Sequence, residues 1–194
     1  MQKNWQKHLG LLLVYGLVTL VMTYPLVFRL NQLPVNVADK GTMILRTPAG
    51  LSNTLTFPIQ NTAPSVFRVD VEGWDTQMPT VIRAENNKQV TPSNPVHYDD
   101  WLVIYTTGLG LTDPGVDSGM PGPSDELAKA IVEPVVTLGG ETLPLAFAGL
   151  VPGEVGLYQI NVKVPFKNVK TGMEVPLTIK QGDTSTTLNV RVVD

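Results

Sequence analysis

The sequence predicts an all-β protein: an immunoglobulin-like β-sandwich preceded by one N-terminal transmembrane helix and an extra β-hairpin. Apolar side chains at every second position from Tyr158 to Val164 indicate a strand with one buried face. Glycine (17) and proline (16) are spread between short apolar runs, where they act as turn residues. Residues 9–28 carry no charged side chain, and about 20 such residues are enough to span a bilayer as a helix.

We interpret residues 1–30 as an uncleaved membrane anchor, a signal-anchor. The alternatives are a cleaved signal peptide and a buried core helix. A signal peptide has a shorter apolar region and small residues at its cleavage site, but this run ends in Thr23-Tyr24-Pro25-Leu26. Lys3 and Lys7 favour a cytoplasmic N-terminus. We therefore expect a single-pass protein of a bacterial membrane, contacting it through residues 9–28, with the C-terminal domain periplasmic or extracellular.

Residues 31–60 are predicted to form a linker and the extra hairpin. The hairpin covers Thr42 to Ile59 and turns at Thr47-Pro48-Ala49-Gly50. A similar hairpin is predicted at the C-terminus, with strands on both sides of a turn at Gln181-Gly182-Asp183. Because a lone hairpin is marginally stable in water, three possibilities remain for the first one. It packs on the main domain, pairs with another chain, or is the remnant of a truncated upstream sandwich.

Residues 61–194 are predicted to form the sandwich, with about seven strands. The continuous apolar run Trp101 to Thr106 is typical of a central strand buried on both faces. A glycine pair, Gly139-Gly140, predicts a hairpin between the strand that contains Val136 and Leu138 and a return strand over Leu143 to Phe147. Residues 125–130 form either one helical turn or an extended loop.

Composition excludes several classes of site. The chain has no cysteine, which rules out disulfides, zinc–thiolate sites, iron–sulfur clusters and a cysteine-linked lipid anchor. Its net charge of −3 gives no electrostatic reason to expect a nucleic-acid partner.

Four segments resemble the Solibacter uncharacterised C-terminal domain family, and the similarity runs from about Leu45 to the C-terminus. The segments are residues 103–110 (VIYTTGLG), 135–140 (VVTLGG), 148–153 (AGLVPG) and 156–165 (GLYQINVKVP). The resemblance implies an immunoglobulin-like sandwich at the end of large exported bacterial proteins, with no established activity. Residues 12–30 are also similar to the opening helix of polytopic membrane glycosyltransferases. That similarity makes a fragment of a larger secreted or glycosyltransferase-associated protein an alternative.

No catalytic residues are predicted. In the soluble part His97 is the only candidate base, and no G-x-S-x-G motif provides a partner nucleophile. No cofactor is expected. Oxygen ligands on a glycine- and proline-rich loop suit calcium, so the candidate metal ligands are the acidic residues of that loop, Asp113, Asp117, Asp125 and Glu126.

The sequence therefore favours a non-catalytic interaction or structural module of the cell surface, with a protein or glycan partner. A carbohydrate-binding module is the alternative. Trp74, in the predicted turn Glu72-Gly73-Trp74-Asp75, is the candidate ligand-binding residue. Trp101, Tyr105 and Tyr158 lie within predicted strands and are expected to fill the core.

Overall fold

The computed structural model describes residues 40–48, 50–73 and 77–194, and these residues form an all-β, sandwich-like structure without a helix. The predicted anchor over residues 1–30, most of the linker and Trp74 lie outside the described residues. Among the described residues, no helix has the length and apolar character needed to cross a membrane.

Eighteen strands are present in the described part of the chain. They are β1 (Lys40–Met43), β2 (Arg46–Thr47), β3 (Gly50–Leu51), β4 (Leu55–Pro58), β5 (Ser65–Val66), β6 (Arg68–Val69), β7 (Met78–Pro79), β8 (Val81–Arg83), β9 (Lys88–Gln89), β10 (Trp101–Thr107), β11 (Thr112–Asp113), β12 (Lys129–Ala130), β13 (Val135–Leu138), β14 (Glu141–Thr142), β15 (Leu145–Leu150), β16 (Tyr158–Lys163), β17 (Gly172–Gln181) and β18 (Thr184–Val192).

The chain divides into two units, and the first contains the predicted N-terminal hairpin. Strand β1 pairs antiparallel with β4, from Lys40 opposite Pro58 to Met43 opposite Leu55. Strands β2 and β3 continue the hairpin towards its turn.

The second unit, residues 61–116 and 120–194, contains the two larger sheets. The large sheet has eight strands in the order β11-β12-β15-β16-β10-β8-β9, with β5 also paired to β10. The small sheet has four strands in the order β14-β13-β17-β18. Every strand pairing in both sheets is antiparallel.

One cluster of buried apolar side chains joins the inner faces of the two sheets. The large sheet contributes Ile104 and Ile160, and the small sheet contributes Leu177, Ile179 and Leu188. Burying each such side chain fully contributes about 1.5–3 kcal/mol to the free energy of unfolding. The shared cluster explains why β16, β17 and β18 show the alternating burial that their sequences predict.

Strand β10 corrects one prediction. Its residues were expected to be buried on both faces, but Leu102, Ile104 and Thr106 are buried while Trp101 is exposed and the other alternate residues are half-buried. The strand therefore has an inner face in the core and an outer face towards solvent. Trp101 and Tyr105 lie on that outer face, so the prediction that they fill the core is wrong. Tyr158 packs against the core as expected.

The return strand predicted after Gly139-Gly140 is split between the two sheets. Strand β14 pairs with β13 for only two residues, and β15 then joins the large sheet beside β16. Pro144 lies between them and has no backbone N–H to continue the first ladder. Of the two possibilities for residues 125–130, the structure has the extended one, since these residues form bends and then β12.

Candidate ligand-binding surface

A groove of about 680 Å³ lies at the beginning of β10, and we call it the Trp101 groove. Its lining residues come from the end of β8, the turn after it, the loop that leads into β10, and the first residue of β10. They are Arg83, Ala84, Glu85, His97, Tyr98, Asp99, Asp100 and Trp101. Ligand sites in proteins commonly have volumes of about 300–1,000 Å³, so this groove is large enough for a small ligand.

A buried ion pair forms the base of the groove. Arg83 Nε donates to Asp100 Oδ2 at 2.7 Å, and its Nη2 donates to Asp100 Oδ1 at 3.0 Å. The backbone N–H of His97 also donates to Asp100 Oδ2, at 2.6 Å. Because the pair joins β8 to the loop before β10, it holds the groove in one shape.

The arginine also reaches partners nearer the surface. Its Nη1 donates to Asn94 Oδ1 at 3.1 Å, and its Nη2 lies 3.4 Å from Glu85 Oε2. The side chain of Asp100 is 2% exposed and that of Glu85 is 75% exposed. Arg83 thus binds one buried and one solvated carboxylate, and the buried one fixes its position.

Trp101 forms one wall of the groove and is 44% exposed. Lys163, opposite Trp101 on β16, holds its ammonium group 5.7 Å from the centre of the indole ring. That distance is within the range of a cation–π contact. Asp99 Oδ1 lies 2.7 Å from Lys163 Nζ, so the lysine charge is balanced beside the ring.

The outer face of the large sheet continues from this groove. Tyr105 lies four residues after Trp101 on the same face of β10, and opposite it on β16 is Gln159. Asn161 lies opposite both Val103 on β10 and Phe147 on β15. Aromatic side chains on β10 and β15 therefore lie on either side of the amide side chains of β16, the strand between them. The aromatic–amide face is our name for the set Trp101, Tyr105, Phe147, Gln159, Asn161 and Lys163.

Two further aromatic residues, Tyr158 and Tyr98, pack against the core and hydrogen-bond to the backbone. The hydroxyl of Tyr158 donates to the carbonyl oxygen of Gly110 at 2.6 Å, and burial raises the pKa of this phenol above its ordinary value. The hydroxyl of Tyr98 donates to the carbonyl oxygen of Val169 at 2.9 Å. Both bonds connect distant parts of the chain, so we assign these residues a role in stability.

The structure describes the candidate metal ligands but not Trp74. In the described part of the chain, no three carboxylates or histidines come close enough together to hold a metal ion, and this includes the loop with Asp113, Asp117, Asp125 and Glu126. The carboxylate of Asp125 accepts a hydrogen bond from the backbone N–H of Glu126 at 3.1 Å. Trp74 lies outside the described residues and stays a prediction.

The sequence prediction missed the Trp101 groove and the aromatic–amide face. Two sequence patterns pointed to this surface. The aromatic residues Trp101 and Tyr105 are four positions apart on β10, and polar residues alternate with buried ones on β16. Only the register that places Tyr105 opposite Gln159 joins the two patterns. Comparison of the chain with known protein families, with curated proteins and with solved structures finds no match.

Proposed function

We propose that this protein is a non-catalytic recognition module displayed on the outside of a bacterial cell. In this proposal an immunoglobulin-like β-sandwich carries the ligand surface, and the helix expected over residues 9–28 tethers it to the membrane. One observation carries the proposal: Trp101, with 44% of its surface exposed, is held beside a groove by a strand whose other face is in the core. Half-exposed tryptophan on a rigid support is typical of recognition surfaces.

The immunoglobulin-like assignment is supported by the antiparallel pairing and by the core shared between two sheets. The switch of the chain from β14 in the small sheet to β15 in the large one is a connection between layers of the kind that sandwiches use. The resemblance to the Solibacter uncharacterised C-terminal domain family points to the same fold and to export.

The non-catalytic part of the proposal is supported by how two of the three carboxylates of the groove, Asp99 and Asp100, are used. Asp100 accepts hydrogen bonds from two nitrogen atoms of Arg83 and from the backbone of His97. Asp99 is paired with Lys163. A general acid or base must be free to exchange a proton with substrate, whereas these carboxylates are engaged in contacts that shape the groove.

Protease accessibility tests the display of the domain. Bacterial cells that produce the full-length chain would be treated with proteinase K while intact, after release of the periplasm, and after lysis. We expect the C-terminal domain to be degraded in intact cells or after periplasmic release. Protection until the inner membrane is broken would contradict the proposal.

Activity assays with hydrolase substrates test whether the protein is non-catalytic. We expect the purified chain to give no activity on a panel of ester, peptide and glycoside substrates. Hydrolysis that is lost in His97→Ala would show that the groove is an active site and would overturn this part of the proposal.

A further inference from the structure

We infer that the aromatic–amide face binds a neutral oligosaccharide, laid across β10, β16 and β15 from Trp101 to Tyr105 and Phe147. The inference rests on the proposed function and adds the chemical class of the ligand and the residues that contact it.

The aromatic side chains provide the apolar part of the site. Trp101 and Tyr105 are four residues apart on one strand, which corresponds to roughly 13 Å at about 3.3 Å per residue. Phe147 lies two strands away on the same face, and its ring covers the position where a side chain on Gly149 would be. Aromatic faces carry partial negative charge and attract the C–H faces of sugar rings. The spacing suits several sugar units better than one.

The amide side chains provide the polar part. Gln159 Nε2 donates to Asn161 Oδ1 at 2.7 Å, which fixes the orientation of both amides. Within the described residues, Gln159 Oε1 and Asn161 Nδ2 form no hydrogen bond, so one acceptor and one donor group remain for a ligand. A sugar hydroxyl both donates and accepts. Neighbouring hydroxyl groups of a pyranose ring can therefore satisfy the pair together.

The charges around the face favour a neutral ligand. The ammonium of Lys163 is balanced by Asp99, and the guanidinium of Arg83 is balanced by Asp100. Lys129 on β12, opposite Gly149, is one further exposed cation on this face. A phosphate or an acidic polymer needs a cluster of unpaired cations, and a single lysine beside two paired cations is not such a cluster. An extended peptide that adds to a sheet recognises the backbone of an edge strand, but β10 and β16 are interior strands with partners on both sides.

Binding of defined oligosaccharides tests the inference. The full-length chain would be held in a detergent that has no sugar headgroup and titrated by calorimetry with cellohexaose, laminarihexaose, xylohexaose, mannohexaose and chitohexaose. Polygalacturonate serves as the acidic comparison. The variants are Trp101→Ala, Tyr105→Ala and Asn161→Ala. Met173→Ala is the matched control, because Met173 is an exposed apolar residue (61%) on the small sheet.

We expect at least one neutral hexasaccharide to bind. Trp101→Ala and Tyr105→Ala should each raise Kd by about tenfold or more, which corresponds to about 1.4 kcal/mol. Asn161→Ala should raise Kd in the same direction, and Met173→Ala should leave it unchanged. Thermal unfolding of each variant confirms that it is folded.

Three results would overturn the inference: no binding of any neutral sugar by the unchanged chain, binding of polygalacturonate alone, or equal affinity in Trp101→Ala and the unchanged chain. Absence of sugar binding in a chain that proteinase K reaches from outside the cytoplasm would reject the oligosaccharide and leave the proposed display intact. Protection of the domain from the protease would instead reject the proposed function itself.

Discussion

Removing the buried carboxylate at the base of the groove is predicted to destabilise the fold strongly. Asp100→Ala leaves the guanidinium of Arg83 with Asn94 and the exposed Glu85 as its remaining side-chain partners. It also removes the acceptor of the His97 backbone N–H. Breaking a buried ion pair by deleting one partner costs about 3–5 kcal/mol, because the other charge stays buried. We expect a loss of that size in the free energy of unfolding, measured by urea titration followed by circular dichroism.

Glu85→Ala is the matched control, since Glu85 pairs with the same arginine at 3.4 Å but is 75% exposed. Exposed ion pairs contribute about 0–1 kcal/mol, so this variant should unfold almost like the unchanged chain. The double variant Arg83→Met with Asp100→Leu should lose less stability than Asp100→Ala, because no charge is then left unpaired. If Asp100→Ala cost less than about 1 kcal/mol, or no more than Glu85→Ala, the assignment of the pair as the base of the groove would be wrong.

Three further predictions follow from the core and from the sheets. Leu177→Ala removes a fully buried side chain at the contact between the two sheets. It should lower the free energy of unfolding, measured by urea titration, by about 2–5 kcal/mol. A loss below about 1 kcal/mol would argue against the shared core. Gly149→Ala should cost about 1–3 kcal/mol, because the added Cβ would collide with the carbonyl oxygen of Ala128 and lie 2.8 Å from Phe147 Cζ. Gly115→Ala should be tolerated, because the carbonyl oxygen of Thr112 would be 3.8 Å from its Cβ. Equal melting temperatures for the two variants would contradict this prediction. Burial raises the pKa of the Tyr158 hydroxyl in the folded chain above the unfolded value of 10.0. As the pH rises, the unfolded chain therefore loses this proton before the folded chain does. The contribution of Tyr158 to the free energy of unfolding is complete below pH 10.0 and is lost as the pH rises towards the folded pKa. Tyr158→Phe should cost about 1 kcal/mol at neutral pH through the bond to Gly110 and should weaken that alkaline fall, and an unchanged pH profile of unfolding would count against the burial of the phenol.

Strands whose pattern depends on one core face could be predicted from the sequence. The alternation of β16 and the alternation of the C-terminal hairpin both reflect side chains that point into the shared core. The spacing of apolar residues within each strand is enough to predict which side chains are buried. The strands confirmed in this way are those with apolar residues on one face and polar residues on the other. The turn predicted at Gln181-Gly182-Asp183 has the same local basis, and in the structure Gly182 and Asp183 form it while Gln181 ends β17.

Sheet membership could not be predicted in the same way. The apolar run of β10 has hydrophobic side chains on both faces, and such a run does not indicate which face is covered. The sheet change at Pro144 depends on which partner strand is available, and that is a long-range property.

The candidate site depends on pairings that are distant in sequence. Arg83 and Asp100 meet because β8 pairs with β10, and Tyr105 meets Gln159 because β10 pairs with β16. Neither contact leaves a recognisable spacing in the chain. Trp74 was chosen as the candidate ligand-binding residue because it lies in a predicted turn, and Trp101 was assigned to the core because it begins an apolar strand.

The inner face of the large sheet builds the core, and we propose that its outer face binds the ligand. Mapping of NMR chemical shifts during titration with the tightest-binding hexasaccharide tests both statements together. We predict shifts at the indole N–H of Trp101 and at the side-chain amides of Gln159 and Asn161, with the signals of β17 and β18 unmoved. Shifts confined to β17 and β18, with the Trp101 indole unchanged, would contradict the claim.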